Sequence, residues 1–367
     1  MTRRTAGSWL AAGLLAAVLV AVVVLARYGP ALVLALTLAL PSTGVHLGFA
    51  RGAATVDPIE VVVRGGRTLQ ADLYRPSRPA GALLLVHGLS PAGRRHPDLA
   101  RLARALATQG QLVLVPEFSG LTAFRLSGRE VDDVRSALAH LRGLSSEGIG
   151  LAGFSFGAGP ALLAAAASPG LRLVGAFGGY ADLRNVLTFV TTGVHHHGGQ
   201  RHAVRQEEYN RWKLLALLLT FVEAERERAI LQAIADRKLA NPTDDTRALE
   251  ERLSREGRAV FNLVVNRREE AVPGLLGDLS PRVTHALDSL SPLTVMPRLA
   301  GRLLIAHGAG DESIPFTESL RLAAAGNAHA VILGTFHHVG PAAGWLSPSR
   351  ALDGARLVSL ADRLLNP

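Results

Sequence analysis

Apolar and polar positions divide the chain into three stretches. The first, up to Ala50, is nearly free of charge. Thr5 to Ala26 is dominated by Ala, Leu and Val, and a second uncharged stretch runs from Tyr28 to Ala50, with Gly29-Pro30 as a turn at its start. From Ile59 the pattern becomes strand-like: Ile59 to Val63 and Leu69 to Tyr74 flank Gly65-Gly66 and predict a hairpin. Strands and helices then alternate. A buried strand over 81–86 precedes a helix from Pro97 to Thr108, with Leu99, Leu102, Ala103 and Leu106 on one face. Strand Leu112 to Val115 leads to helix Arg129 to Leu141, where Val131, Val134, Leu138 and Leu141 recur at helical spacing and Ser127 with Glu130 reads as a capping box. Strand Ile149 to Ala152, a small-residue helix Ala161 to Ala167 and strand Leu171 to Phe177 follow. Between Gly178 and Leu299 the alternation gives way to helical patterns, over Arg211 to Val222, Glu227 to Leu239, Thr246 to Glu256 and Gly257 to Arg267. It resumes with strand Arg302 to Ala306, helix Thr317 to Ala325, strand His329 to Leu333 and a closing helix Ala351 to Leu365. Such alternation predicts an α/β fold: a mostly parallel sheet with helices on both faces.

Candidate chemistry gathers where apolar runs end. Gly153-Phe154-Ser155-Phe156-Gly157 lies between a strand and a helix, the setting of a nucleophile elbow, in which a serine sits on a strained turn with its hydroxyl pushed outward. The pentapeptide alone is a weak signal in a chain with 38 glycines. Three further strand ends strengthen it: His87-Gly88-Leu89, then Gly308-Ala309-Gly310-Asp311-Glu312-Ser313-Ile314-Pro315, then Gly334-Thr335-Phe336-His337-His338. Serine, acid and histidine therefore follow apolar runs in the order Ser, Asp, His.

On these residues the chain resembles the α/β-hydrolase superfamily over residues 58–367, loosely toward its dienelactone-hydrolase-like and prolyl-oligopeptidase-like bacterial members. The resemblance implies Ser155 as nucleophile and His338 as general base, with His337 as the competing choice one residue away. It implies Asp311 as the acid that orients the histidine, because Gly308-x-x-Asp311-x-x-Ile314-Pro315 is similar to the family pattern; Glu312 is read as a solvated neighbour. The backbone N–H groups of Leu89 and Phe156 are the implied oxyanion donors. Serine at position 155 disfavours the haloalkane dehalogenases and epoxide hydrolases of the superfamily, which carry Asp there. The core is expected over 56–180 and 300–367. Residues 181–299 are implied to be a helical cap over the site, the competing reading being a peripheral decoration or oligomer contact. His87 is read as a brace for its loop. His195-His196-His197, with His202, is read as exposed loop between glycines rather than a metal site. Asp182 is read as a helix N-cap in preference to a second triad acid.

The N-terminus and composition define the setting. Thr2-Arg3-Arg4 precedes an apolar stretch that, at about 1.5 Å per residue, can cross a hydrocarbon core of about 30 Å. Residues 1–55 are therefore expected to form an uncleaved membrane anchor of one or two apolar helices; a signal peptide cleaved after Ala26 is the alternative. One crossing with Arg3 and Arg4 inside places the enzyme outside the cytoplasm, and a hairpin returns it. A chain beginning near Val56 is expected to be soluble and active unless Ala31 to Leu40 packs on the catalytic domain. The hydrophobic fraction of 48% fits a membrane segment. The absence of cysteine excludes disulfides and thiolate chemistry. The net charge of +9 is mostly arginine interleaved with acid, as in Glu223 to Arg228, which argues against a nucleic-acid partner and leaves an attraction to anionic lipid headgroups. No cofactor and no metal are expected. The function expected is a membrane-anchored serine hydrolase that cleaves a small-molecule or lipid-like carboxylic ester through a Ser-His-Asp triad and an acyl-enzyme. Lysophospholipase, thioesterase and peptidase chemistry use the same machinery, and a non-catalytic binding protein of this fold is the alternative from another class.

Overall fold

Branched and leucine-rich runs between turns pair into one sheet in the computed structural model of the chain, which describes residues 3–39, 52–334 and 348–366. Its strands are β1 (Ala54–Val62), β2 (Thr68–Pro76), β3 (Gly81–Val86), β4 (Gln111–Pro116), β5 (Ile149–Phe154) and β6 (Leu173–Phe177), followed after a long insertion by β9 (Leu303–Gly308) and β10 (Ala330–Leu333). A separate hairpin, β7 (Val194–His197) and β8 (Gln200–Ala203), lies within the insertion. The eight strands stand in the order β1-β2-β4-β3-β5-β6-β9-β10. β2 is antiparallel to both of its neighbours, and the strands from β4 to β10 run parallel. At the β1–β2 turn Gly65 and Gly66 take φ of +82° and +74°, values that a side chain would disfavour, so the expected hairpin closes there.

The parallel strands are buried on both faces, as the unbroken apolar runs predict. Leu84, Leu114, Leu151, Val174 and Ile305 point into one core, with the elbow helix Ala158–Ala166, helix Arg129–Leu144 and much of the insertion. Their neighbours Leu83, Leu85, Val113, Ala152 and Leu304 point into a second core, with helix Pro97–Thr108 and the closing helix Pro348–Leu365. The expected capping box is displaced by one residue. Gly128, at φ +83°, occupies the N-cap, and Ser127 before it gives its N–H to Glu130 at 3.0 Å.

The N-terminal helix departs from expectation. It runs unbroken from Arg3 to Ala39, passing through Gly29-Pro30 where a turn was expected. Pro30 removes one helical N–H, but the turns on either side are held from outside: beyond it Ala31, Leu34 and Ala35 are buried in the second core, and before it Arg27 is paired with Asp362 on the closing helix. The half before it differs. Val18 to Val20 and Val22 to Leu25 are exposed, and Val18–Thr37 is long and apolar enough to cross a membrane. The condition set for a chain beginning near Val56 is met over Ala31, Val33, Leu34 and Ala35, which are buried; Leu40 lies outside the described residues.

Helices Glu208–Leu218, Glu225–Ala240 and Arg255–Val265 of the insertion lie close to where they were expected. The helix expected over Thr246 to Glu256 stops after one turn, at Arg247–Glu250. The cause is tertiary: the buried Glu227 carboxylate accepts the Ser254 N–H at 2.9 Å, and a new helix starts at Arg255. The histidine cluster is a further correction. Val194 to His197 is strand β7, not loop, and Gly198-Gly199 with positive φ forms its turn into β8. Of the cluster, His196 is exposed, whereas His195 is buried between Phe189, Phe316 and His202.

Candidate active site

β5 ends at Phe154 and Ser155 begins a tight 3₁₀ turn, Ser155–Gly157, that opens into the elbow helix. Ser155 takes φ +51°, a conformation costly for a non-glycine residue and held here by packing on all sides. The flanking glycines show why. A Cβ on Gly153 would stand 2.5 Å from the Ala158 Cα, and one on Gly157 would fall on the His87 carbonyl oxygen. On the facing loop, a Cβ on Gly88 would stand 2.8 Å from the Ser155 Cβ. The elbow and the loop after β3 are thus pressed together.

That contact places the two implied oxyanion donors beside the serine. Leu89 lies in the loop after β3, and its N–H makes no hydrogen bond among the described residues. Phe156, second in the 3₁₀ turn, precedes the first intrahelical donor, so its N–H has no partner from the helix. The ring of Phe156 rests on Tyr180 at 5.6 Å, and the Tyr180 hydroxyl donates to the Leu290 carbonyl at 3.0 Å. His87 is the brace it was read to be. Its Nε2 accepts the Phe118 N–H at 3.0 Å and its Nδ1 lies 2.8 Å from the Gly88 carbonyl, which fixes the Nδ1–H tautomer. Burial holds its pKa below the ordinary histidine value, against the pull of the Gly88 carbonyl.

Asp311 is buried in the turn after β9. Its Oδ1 accepts the N–H groups of Ser313 and Ile314 at 2.8 and 3.0 Å. Its Oδ2 lies 3.1 Å from Nε2 of His307, which also faces the Ile314 carbonyl at 3.0 Å. Two acceptors around one nitrogen assign the proton to Nε2, while Nδ1 accepts from the Ser319 hydroxyl at 2.7 Å. His307 therefore positions Asp311, a residue role that sequence reading missed although His307 stands at the end of β9, next to its last residue. Glu312 is half-buried rather than solvated, and its carbonyl accepts from Asn210 at 3.1 Å. Asp182 is the N-cap of helix Leu183–Thr192, accepting the Arg184 N–H at 2.8 Å. His337 and His338 lie outside the described residues.

Among the described residues, Ser155 lines two of the cavities. One, of about 220 Å³, is mainly apolar and is lined by Phe154, Phe177, Leu99, Leu357 and Leu360, between helix Pro97–Thr108 and the closing helix. The other, of about 90 Å³, lies on the side of the insertion. It brings together Ser155, Leu89, Phe156 and Ser313 with Val190, Asn210 and Lys213 of the insertion. Sequence reading did not single out Lys213. Burial lowers its pKa against the opposing fields of Asp311 and Glu207.

No protein-family model and no curated protein matches this sequence. Solved structures do. The α/β-hydrolase GrgF from Penicillium sp. sh18 superposes with a TM-score of 0.50 at 17% identity, over 84% of this chain and 98% of that one. The esterase domain of a Rhodothermus marinus protein gives 0.43 at 18% identity, over 84% and 98%. The acylaminoacyl peptidase of Pyrococcus horikoshii gives 0.47 at 12% identity over 83% of this chain, which spans only 40% of that longer protein.

Proposed function

We propose that this chain, an α/β-hydrolase by fold, is a serine hydrolase that cleaves carboxylic esters through Ser155. The observation that carries the reading is the strained Ser155 at φ +51°, set between two backbone N–H groups, Leu89 and Phe156, that have no partner in their own elements. In the reaction the Ser155 oxygen attacks the ester carbonyl as its proton passes to a histidine, proposed to be His338, and the carbonyl oxygen becomes an oxyanion beside Leu89 and Phe156. Collapse expels the alcohol, which takes the proton from the histidine. Water then repeats the sequence on the acyl-enzyme, releasing the acid and restoring Ser155. Asp311 is assigned to orient the imidazole and offset its positive charge. The apolar cavity of about 220 Å³ suits a hydrocarbon part of the substrate. The insertion, residues 181–299, acts as a cap in this reading, because its Val190, Asn210 and Lys213 share a pocket with the nucleophile. The exposed apolar half of the N-terminal helix supports attachment to a membrane.

Hydrolysis of p-nitrophenyl esters of graded chain length tests the chemistry. Ser155→Ala is expected to lower kcat/KM by at least about 10³-fold with an unchanged circular dichroism spectrum. In the same assay His338→Ala is expected to match that loss and His337→Ala to be mild. A Ser155→Ala enzyme that keeps a tenth of the wild-type rate would overturn the assignment.

A further inference from the structure

Lysine is rare in this chain: Lys213 and Lys238 are the only two. Lys213 is placed in the smaller pocket with the nucleophile. It is half-buried on helix Glu208–Leu218, and among the described residues no carboxylate or carbonyl lies within hydrogen-bonding distance of its ammonium. It lies 4.9 Å from the centre of the Tyr209 ring, one turn earlier. Asp311 and Glu207 act on it through space without direct contact, and an ammonium withdrawn from water with no anion against it is a costly arrangement. Its position is also fixed. Asn210, one turn before Lys213, donates to the Glu312 carbonyl at 3.1 Å and accepts from the Ser313 hydroxyl at 3.5 Å, so the helix is stitched to the loop that carries Asp311. The rest of the pocket wall is apolar or backbone: Leu89, Phe156, Val190, Leu214 and Leu217. The pocket therefore offers one positive charge, a few polar donors and little room.

We propose that this pocket is a subsite for a carboxylate of the substrate, with Lys213 as its counter-charge, so that the preferred ester carries an anionic group a few atoms from the bond that is cleaved. The proposal rests on Ser155 as the nucleophile. A carboxylate beside Lys213 exchanges its water for a charge-assisted hydrogen bond in a site with little competing solvent, which makes the discrimination against a neutral isostere large. The anion can belong to the acid or to the alcohol part of the ester, and the two are separable by experiment.

Two pairs of esters test it. On the acid side, mono-p-nitrophenyl glutarate is compared with p-nitrophenyl pentanoate; on the alcohol side, 4-carboxyphenyl butanoate with 4-carbamoylphenyl butanoate. In the wild-type enzyme one pair is expected to favour the anionic member in kcat/KM, and Lys213→Met is expected to lower that ratio roughly 10- to 100-fold, with Lys213→Arg retaining most of it. Labelling of Ser155 by a fluorophosphonate probe accompanies every variant. A wild-type enzyme that neither labels nor turns over any ester overturns the reading of Ser155 itself. Labelling with no anion preference in either pair, or a preference that Lys213→Met leaves intact, overturns the subsite alone. Independently of any substitution, free glutarate is expected to protect wild-type Ser155 from the probe where glutaramide does not, and equal protection by the two also rejects the subsite.

Discussion

A histidine ring shut away from water is a proton site that the folded chain declines to use. His195 is the clearest case, its pKa lowered to about 4 by burial first and then by the neighbouring charges of His202, His196, Arg321 and His307. His87 is lowered in the same direction by burial. The sign follows from linkage. Above an unfolded pKa of about 6.5 both states leave His195 neutral and its packing contributes in full; as pH falls toward about 4, the unfolded chain takes up a proton that the folded one refuses, and stability is lost. Urea unfolding at pH 7.5 to 4.5 is expected to show falling midpoints, and His195→Phe, which keeps a ring between Phe189 and Phe316 without a proton site, to flatten part of that slope. Identical slopes in the two proteins would reject His195 as a contributor. At this scale much of the candidate site was legible. Ser155 was singled out because steric rules demand glycines around a strained serine, and Asp311 because Gly308-x-x-Asp311-x-x-Ile314-Pro315 resembles a family pattern. His307 and Lys213 were not, because their significance lies in partners remote in sequence or in the lack of one. The burial of His195 was also missed, since Thr317 and Phe316, which enclose it, come from a helix beyond the whole insertion.

Buried charged side chains act between elements. Arg211 is almost inaccessible, and its guanidinium donates to the Val264 and Asn266 carbonyls at the end of one insertion helix and, at 3.0 Å, to the Thr191 carbonyl at the end of another. It closes two helix C-termini at once, where terminal carbonyls lack internal partners and a cation is favoured by the helix dipole. The planar fork is what allows this, and a lysine ammonium has neither the reach nor the number of fixed donors. Arg211→Lys is expected to lower unfolding free energy by about 1–3 kcal/mol in urea titration, through carbonyls left unpaired. A loss below about 0.3 kcal/mol would reject that account. Element boundaries in the insertion were less legible for the same reason. The periodicity of Thr246 to Glu256 permits a helix, but Glu227, folded against Ser254, ends it. The parallel strands were readable because burial on both faces leaves a mark along them, whereas β1, half-exposed, begins at Ala54, five residues before the expected Ile59.

For the molecule as a whole, the N-terminal helix belongs to two environments. In its exposed half Val18 to Val20 and Val22 to Leu25 face outward, while Leu34 is as deeply buried as any described residue of the domain. A chain beginning at Val56 uncovers the groove that Ala31, Leu34 and Ala35 fill, and Leu34 alone is worth about 1.5–3 kcal/mol of burial. Such a chain is expected to melt several degrees below one beginning at Tyr28, which keeps the packed turns without the exposed ones, and to give less soluble protein. Equal melting points would mean that these turns contribute nothing.

The pairing of this helix with the closing helix has a consequence in time. Arg27 and Asp362 stand 335 positions apart in the chain, so the turns around Leu34 are synthesised early and the surface that covers them late. Until the closing helix has been made, the nascent chain carries an apolar ridge for which only part of the cover, helix Pro97–Thr108, exists. A growing polypeptide in that condition needs an apolar refuge. On the proposed attachment of Val18 to Leu25, a bilayer would be one.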